Sequence, residues 1–217
     1  MSNQQVVRVE LGERSYNVVI GSGVRSQIAS MVPSTAKRAV IVTQATIPFS
    51  VEESLVAAGI STRTINIGLG EEFKSLATIE MILRECAQFG LTRNDVIIGV
   101  GGGMVTDIAG FAASAWHRGI AVVHVSTTLV GMVDAAIGGK TGVNLAEGKN
   151  LVGAFWQPRG VLCDTDALAS LSPRETRCGN GEMAKYHFLT GDDLLSLDLN
   201  SRIARCVQIK ADIVGSD

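Results

Sequence analysis

Two stretches of this 217-residue sequence combine glycines with charged side chains in patterns that could bind a phosphorylated ligand. In the first stretch, Gly101, Gly102 and Gly103 follow a β-branched apolar run and precede a helical pattern, and Asp107 lies about one helical turn further on. Because glycine has no Cβ, backbone N–H groups at such a helix start can approach a pyrophosphate. Asp107 could accept a hydrogen bond from a sugar or nicotinamide group. A tight turn without a ligand is the alternative.

The second stretch, Asp134 to Asn144, presents Lys140 after two adjacent glycines. It is not a nucleotide-hydrolysing phosphate loop, because Asp134 stands where that pattern needs its first glycine and no helix follows the lysine. We therefore predict a flexible glycine loop without a nearby acidic run, whose partner is an anionic ligand. Two further polar residues follow it, Lys149 and Asn150.

Four polar residues follow predicted strands at the edge where open α/β sheets bind ligands. Glu71 and Lys74 could contact a ribose and a phosphate, and a solvated charged loop is the alternative. Thr127 and Thr128 could donate to a cofactor, although helix capping also explains their position.

A later helix carries Glu182, with Lys185 and Tyr186 three and four residues beyond it. This spacing predicts that the three side chains share one face of the helix. An exposed ion pair is the simplest interpretation, and a ligand site needs further support.

The elements that must position these residues alternate between strands and helices. An alternating N-terminal segment predicts a hairpin, Val6–Leu11 with Tyr16–Ile20, and a second series of strand patterns covers 38–43, 62–67, 96–100 and 120–125. Helical patterns cover 50–58, 76–89 and 104–116, the second with Ser75 as its cap and Gly90 at its end. We therefore predict an α/β fold with a Rossmann-like, mainly parallel sheet and an N-terminal hairpin.

The architecture changes near residue 171. Ser172, Pro173 and Glu175 form a capping box with proline at the first helical position, and the pattern after it is helical throughout. We predict an α/β domain over residues 1–170 and the beginning of an all-helical domain over 171–217.

Composition excludes several classes of protein. Residues are 46% hydrophobic and 18% charged, so the chain can bury a sizeable core. With a net charge of -2, the chain lacks the broad positive charge that is typical of nucleic-acid-binding proteins. No apolar run approaches the roughly 20 residues of a membrane span. The polar N-terminus lacks a leader pattern, so we expect a cytoplasmic protein. The four cysteines are widely spaced, which predicts buried free thiols.

Together these motifs resemble the 3-dehydroquinate synthase family over nearly the whole chain. The GGKTGVN stretch at 138–144 is the most discriminating, and the chain departs from the family pattern at Asn180 and His187. The other matching stretches are GEEFKS at 70–75, GGGMVTDIAGFAA at 101–113, HRG at 117–119, STTL at 126–129, VDAAI at 133–137, GKNLVGAFWQP at 148–158, LSPRE at 171–175 and GEMAKY at 181–186.

The resemblance implies bound NAD and a divalent metal, zinc or cobalt, with Glu182 as one metal ligand. It also implies a seven-carbon phosphorylated keto-sugar acid as substrate, no membrane or nucleic-acid partner, and a homodimer in which Arg118 reaches the phosphate of the neighbouring subunit. Asp134 would orient a substrate hydroxyl, and Lys140, Asn150 and Lys185 would bind the phosphate and carboxylate. The residues implied to hold NAD are Glu71, Lys74, Gly101, Gly102, Gly103, Asp107, Thr127, Thr128, Lys140 and Lys149, with Ala167, Leu168, Ala169 and Ser170 closing over it.

In that family NAD removes a hydride from the substrate and later returns it, while phosphate leaves and a carbocycle closes. Two other functions stay open: a polyol dehydrogenase that consumes NAD, and a non-catalytic NAD-binding fragment. The resemblance also implies that further metal ligands lie beyond Asp217. On that basis we expect weak NAD binding, poor zinc retention, no turnover by this chain, and exposed apolar residues on a helix over 201–214.

Overall fold

A computed structural model, which describes residues 4–216, has a seven-stranded sheet covered by helices and a separate two-stranded hairpin. The strands are β1 (Gln5–Val9), β2 (Tyr16–Gly21), β3 (Arg38–Thr43), β4 (Ser61–Asn66), β5 (Val96–Gly101), β6 (Ala121–Ser126), β7 (Lys140–Leu145), β8 (Gly148–Phe155) and β9 (Gly160–Asp164). The helices are α1 (Ile28–Met31), α2 (Glu52–Ala57), α3 (Leu76–Phe89), α4 (Gly103–Ala115), α5 (Pro173–Thr190) and α6 (Leu199–Ser216). A π-helical turn covers Gly131–Ala135.

The large sheet has the order β1-β2-β9-β6-β5-β3-β4 and is parallel except for the β1–β2 pair. Every residue of β5 and β9 is buried, as expected for parallel strands covered on both faces. Ile98 pairs with Val123, and Val125 pairs with Leu162, so the centre of the sheet is continuous apolar surface. The predicted α/β fold with an N-terminal hairpin is confirmed.

The predicted helix ends follow from local side-chain chemistry. Ser75 Oγ accepts a hydrogen bond from the Thr78 amide at the start of α3, and Gly90 ends that helix in the left-handed region with φ 70°. At the start of α5, Ser172 and Glu175 form the predicted capping box.

The prediction of a flexible loop around Lys140 is wrong. Residues 140–155 form the antiparallel β7–β8 hairpin, with a register shift between Val143 and Leu145. Gly142 pairs with Gly153, and a Cβ on Gly153 would lie 2.0 Å from the Thr141 carbonyl oxygen. Gly142 and Gly153 are therefore required by two backbones in close contact, whereas Gly138 and Gly139 precede β7 with φ 90° and 68°. Strand β9 was also missed.

The C-terminal helices pack on the sheet. Apolar residues of α6, including Ile203, Cys206 and Val207, lie in one core with Tyr16 and Val18 of β2. The expectation that α6 exposes its apolar residues is therefore wrong for most of them. The most exposed large apolar side chains are Phe188, at 84%, and Leu195, at 83%. The division of the chain into an α/β domain and a helical domain at residue 170 stays a prediction.

Two compositional predictions can be compared with the described residues. Three of the four free cysteines are buried, as predicted, and Cys178 on α5 is exposed. No helix within residues 4–216 has the length and apolar character needed to cross a bilayer.

Candidate functional site

The glycine loop lies between the end of β5 and the start of α4. A Cβ on Gly102 would lie 2.8 Å from Thr128 Cγ2, and one on Gly103 would lie 2.9 Å from the Ala135 Cβ. Real Cβ atoms do not approach other atoms this closely, so side chains at these positions would displace their neighbours. Gly102, Gly103 and Met104 also line a cleft, so the N-terminus of α4 opens onto it and its N–H groups can bind an anion.

This first cleft has a volume of about 470 Å³ and lies at the carboxyl ends of the parallel strands. It contains six of the predicted cofactor residues, namely Glu71, Gly102, Gly103, Thr127, Thr128 and Ser170. Thr128 Oγ1 also accepts a hydrogen bond from the Gly131 amide at 3.1 Å, so capping and cleft lining coexist at this residue.

Sequence reasoning missed one wall of the first cleft. Gln44, Thr46 and the segment 47–49 follow β3, the strand that neighbours β5 in the sheet. Gln44 Nε2 donates to the Gly68 carbonyl at 3.0 Å, which ties this segment to the loop after β4. The available signal was topological, because the segment follows a strand next to the glycine loop.

Of the segment predicted to close over the cofactor, only Ser170 lines the first cleft. Ala167 is buried in the core and Leu168 packs against that core, whereas Ser170 lines the first cleft. The side chains of Ala167 and Leu168 are therefore structural in this conformation. Ala169 does not line the cleft either.

Lys74 and Asp107 form a buried ion pair beside the first cleft. Lys74 is only 6% exposed, and its Nζ donates to Asp107 Oδ2 and to Asn150 Oδ1, each at 2.5 Å. Burial raises the pKa of the Asp107 carboxyl above its usual value, although Lys74 acts in the opposite direction. Lys74 is thus held by protein groups instead of facing the first cleft as a free phosphate ligand.

A second cleft, of about 450 Å³, adjoins this ion pair. Asp107, Asp134, Lys140, Asn150 and Lys210 line it. Within the described part of the chain, no carboxylate pairs with Lys140, so its charge is available to a ligand. The structure thus brings three of the predicted substrate residues to one cleft and moves Asp107 from the first cleft to the second.

Asp134 is at the centre of a cluster of amines. Lys210 Nζ lies 2.5 Å from Asp134 Oδ1, and Lys185 Nζ lies 3.6 Å from the same oxygen. Burial opposes ionisation of Asp134, but Lys210 and Lys185 outweigh it and hold the pKa of the carboxyl below its usual value. The π-helical turn carries Asp134, and such turns occur frequently at functional sites.

Lys210 is the main residue that sequence reasoning missed. Burial lowers the pKa of its amine, and Asp134 opposes that shift. A sequence signal existed, because Ile203, Cys206 and Lys210 share the core-facing side of α6 at helical spacing. A lysine on the apolar side of an amphipathic helix requires a buried partner.

Tyr186 does not join Glu182 and Lys185 in an exposed group. Glu182 and Lys185 form an ion pair, whereas Tyr186 is buried and its hydroxyl donates to the Val133 carbonyl at 2.7 Å. Lys185 Nζ nevertheless lies 4.8 Å from the centroid of the Tyr186 ring, so the three side chains share a face as predicted, with Tyr186 at its buried side.

The described residues do not fit a complete metal site. Glu182 is paired with Lys185, and residues 4–216 contain no group of three or more His, Cys, Asp or Glu side chains that could hold an ion. By contrast, the first cleft fits a dinucleotide, because a helix N-terminus, Thr127 and Thr128 line a space of about 470 Å³.

Two predicted residues line neither cleft. Lys149 Nζ is nevertheless 3.8 Å from Oε1 of Glu71, a residue of the first cleft. Arg118 precedes β6, whereas Thr127 and Asp134 follow it, so the length of a six-residue strand, roughly 20 Å, separates Arg118 from the clefts. His117 and Arg118 both have left-handed backbones, with φ 49° and 65°.

A family model and several curated proteins match this chain. A family model described as 3-dehydroquinate synthase N-terminal matches residues 64–178. The chain is 46% identical to a putative aminodehydroquinate synthase from Amycolatopsis mediterranei, over 97% of this chain and 59% of that protein. It is 44% identical to the 3-dehydroquinate synthase of Nitrobacter winogradskyi, over 88% of this chain and 51% of that protein. The chain thus spans between half and two thirds of these relatives.

A similar fold is found in the crystal structure of 2-deoxy-scyllo-inosose synthase complexed with carbaglucose-6-phosphate, NAD+ and Co2+. The TM-score is 0.89 at 27% identity, and the match covers 97% of this chain and 62% of that one.

Proposed function

We propose, since this chain belongs to the 3-dehydroquinate synthase family, that it serves the conversion of 3-deoxy-D-arabino-heptulosonate 7-phosphate to 3-dehydroquinate and phosphate. This reaction belongs to the shikimate pathway towards chorismate and the aromatic amino acids. The observation that carries the proposal is a pair of adjoining clefts. One has a glycine loop at a helix N-terminus. The other contains Lys140 and an Asp134 carboxylate that contacts the amines of Lys185 and Lys210.

The first cleft is proposed to bind NAD, with the pyrophosphate at the N-terminus of α4. Gly102 and Gly103 allow close approach, and Thr127 and Thr128 supply hydroxyl groups. When bound, NAD would accept a hydride from the substrate and return it later. The protein contributes position and charge. In this proposal residues 1–170 form the NAD-binding domain and residues 171–217 begin a helical domain.

The second cleft is proposed to bind the substrate. Its phosphate and carboxylate are anions, and the amines of Lys140, Lys185 and Lys210 can each donate charge-assisted hydrogen bonds to them. Asp134 stays ionised in this environment and can accept a hydrogen bond from a substrate hydroxyl. Asn150 adds an amide at the wall that the cleft shares with Lys74.

Arg118 fits the proposal only with a second copy of the chain. It lies at the opposite edge of the sheet from Asp134, which its side chain cannot reach. We therefore propose a homodimer in which Arg118 serves the phosphate of the neighbouring subunit. Its exposed position in a turn of left-handed residues supports this role.

A divalent metal, zinc or cobalt, is part of the proposal only through Glu182. The solved 2-deoxy-scyllo-inosose synthase carries Co2+ together with NAD+. The described residues by themselves lack a donor set for an ion.

One relative favours a second substrate for the same type of reaction. The putative aminodehydroquinate synthase is 46% identical to this chain, compared with 44% for the Nitrobacter enzyme. An amino-substituted keto-sugar acid phosphate is therefore the second candidate substrate. Both candidates carry a phosphate that must leave, so phosphate release detects either one.

A chimera tests the proposed function. This chain replaces the segment that it matches in the Nitrobacter winogradskyi enzyme, and phosphate release is measured with NAD, zinc and each candidate substrate. Phosphate release without net NADH supports a cyclase and identifies the preferred substrate. NADH accumulation from an alcohol, without phosphate release, would identify a polyol dehydrogenase. A folded chimera that binds NADH but neither substrate would identify a non-catalytic NAD-binding segment.

A further inference from the structure

Asn144 in β7 joins neighbouring segments through three hydrogen bonds. Its backbone N–H donates to the Lys74 carbonyl at 2.8 Å, and its Nδ2 donates to Glu71 Oε1 at 2.8 Å. Its Oδ1 accepts from the backbone N–H of Asn150 at 2.9 Å. Asn144 thus connects the loop after β4 to both strands of the hairpin.

These contacts close a ring through Lys74. Lys74 Nζ donates to Asn150 Oδ1, and the Lys74 carbonyl accepts from Asn144. Asn150 has a left-handed backbone, with φ 57°, which is uncommon for a residue other than glycine. The hydrogen bond from its N–H to Asn144 holds that conformation, and asparagine tolerates it better than most residues do.

The ring lies between the two clefts. Glu71 lines the first cleft, and Asn150 lines the second. Asn144 lines neither of these two clefts, although it lines a third one, of about 660 Å³, together with Glu71 and Lys74. Its effect on a ligand in the first two clefts must therefore pass through Glu71 and Asn150. The hydrogen bonds from Asn144 to Glu71 and from Asn150 to Asn144 are exposed, so each contributes little alone and the loop and hairpin can separate locally.

We infer that Asn144 is a positioning residue that couples ligand binding in the two clefts. A ligand that bonds Asn150 orders the hairpin, and Asn144 then holds Glu71 in place, so the second ligand has less ordering entropy to overcome. Binding should therefore be mutually reinforcing. This inference rests on the proposed function, because it takes the first cleft as the NAD site and the second as the substrate site.

The coupling can be measured without turnover. NADH cannot accept a hydride, so its Kd can be determined by fluorescence in the presence and absence of 3-deoxy-D-arabino-heptulosonate 7-phosphate. The coupling factor is the Kd for NADH without the sugar phosphate divided by the Kd for NADH with it. We expect this ratio to exceed one in the unaltered chain and to fall about three- to tenfold in Asn144→Ala, which loses two side-chain hydrogen bonds. Asn94→Ala, at an exposed turn, is the matched control and should leave the ratio unchanged.

A second variant separates the contact of Asn144 with Glu71 from its contact with Asn150. Asn144→Asp keeps an acceptor for the Asn150 amide but places a carboxylate beside Glu71, so the affinity for NADH alone should fall. Adding Glu71→Gln restores a donor and should recover most of that loss, whereas a purely structural role would not give rescue. Amide exchange at Asn150 should accelerate in Asn144→Ala and stay slow in Asn144→Asp.

The outcomes are distinguishable. A coupling factor that is equal in Asn144→Ala and the unaltered chain would overturn the inference while leaving the proposed function intact. Binding of NADH without any binding of the sugar phosphate would overturn the proposed function. Rescue by Glu71→Gln would still support the part of the inference in which Asn144 holds Glu71 at the first cleft. If Asn150 exchange is unchanged in Asn144→Ala, the ring does not hold this residue and the inference fails.

Discussion

Lys210 Nζ lies 2.5 Å from Asp134 Oδ1 and 2.7 Å from the Asp134 carbonyl oxygen, which joins the last helix to the π-helical turn. The two residues are 76 positions apart in the chain. This contact gives the second cleft a second lysine beside Lys140 and holds the carboxylate that Lys185 also contacts.

Lys210→Ala should therefore affect both ligand binding and stability. Loss of a charge-assisted hydrogen bond, about 1.5 to 3 kcal/mol, predicts a roughly tenfold or greater loss of sugar-phosphate affinity, with NADH affinity nearly unchanged. The pKa of Asp134 is lowered in the folded chain, so its stabilising effect is present above pH 3.8 and is lost as the pH falls further. Urea unfolding at pH 7 and pH 3 should show a smaller difference in the variant. An unchanged difference would contradict this account.

Gly102→Val should weaken NAD binding. A side chain here meets Thr128 and fills the approach to the α4 N-terminus. We expect at least about a tenfold rise in the Kd for NADH, equivalent to roughly 1.4 kcal/mol. Gly181→Ala is the control, because a Cβ there meets nothing within 4 Å. A folded Gly102→Val variant with unchanged NADH affinity would refute the cofactor assignment.

Lys140→Ala and Lys185→Ala should separate the substrate from the cofactor. Each lysine lies beside Asp134 or the second cleft, so sugar-phosphate binding should weaken by about tenfold while NADH affinity stays nearly constant. Isothermal titration with each ligand measures both effects. Lys37→Ala, at an exposed position, serves as the control. Equal loss of both affinities would place the lysine at the cofactor instead.

Tyr186→Phe tests the support of the π-helical turn. The buried Tyr186 hydroxyl donates to the Val133 carbonyl, which would lose its partner. We expect a decrease of about 1 to 2 kcal/mol in the free energy of unfolding, measured in urea, and weaker sugar-phosphate binding because Asp134 follows Val133. A stability change without any effect on ligand binding would limit Tyr186 to a structural role.

His124 should make stability depend on pH. It is buried in β6, its Nδ1 has no hydrogen-bond partner among residues 4–216, and burial lowers its pKa from 6.5 to about 4. Because the pKa of His124 is lower in the folded chain than in the unfolded chain, proton binding favours unfolding as the pH falls from 6.5 to about 4. The loss of stability reaches up to about 3 kcal/mol. His124→Leu should reduce that loss between pH 7 and pH 4.5. His187→Ala, at an exposed position, should not.

Local features of the sequence predicted much of the fold. The glycine turn after β5, the Ser75 and Ser172 caps and the N-terminal hairpin all depend on neighbouring residues, and the structure has each of them. Motif order also predicted the family. These signals are readable because a cap, a turn or a strand pattern is determined within a few residues of chain.

The sequence by itself therefore determined most strands and helices of the large sheet, the caps of α3 and α5, and the family. Only the tertiary structure decided which residues meet: Lys210 with Asp134, Lys74 with Asp107, and Asn144 with Glu71 and Asn150. Only the tertiary structure also showed that residues 140–155 form a hairpin and that the apolar side of α6 is buried. The physical reason is that such contacts join residues distant in the chain, and their energy depends on packing and burial that no local pattern records.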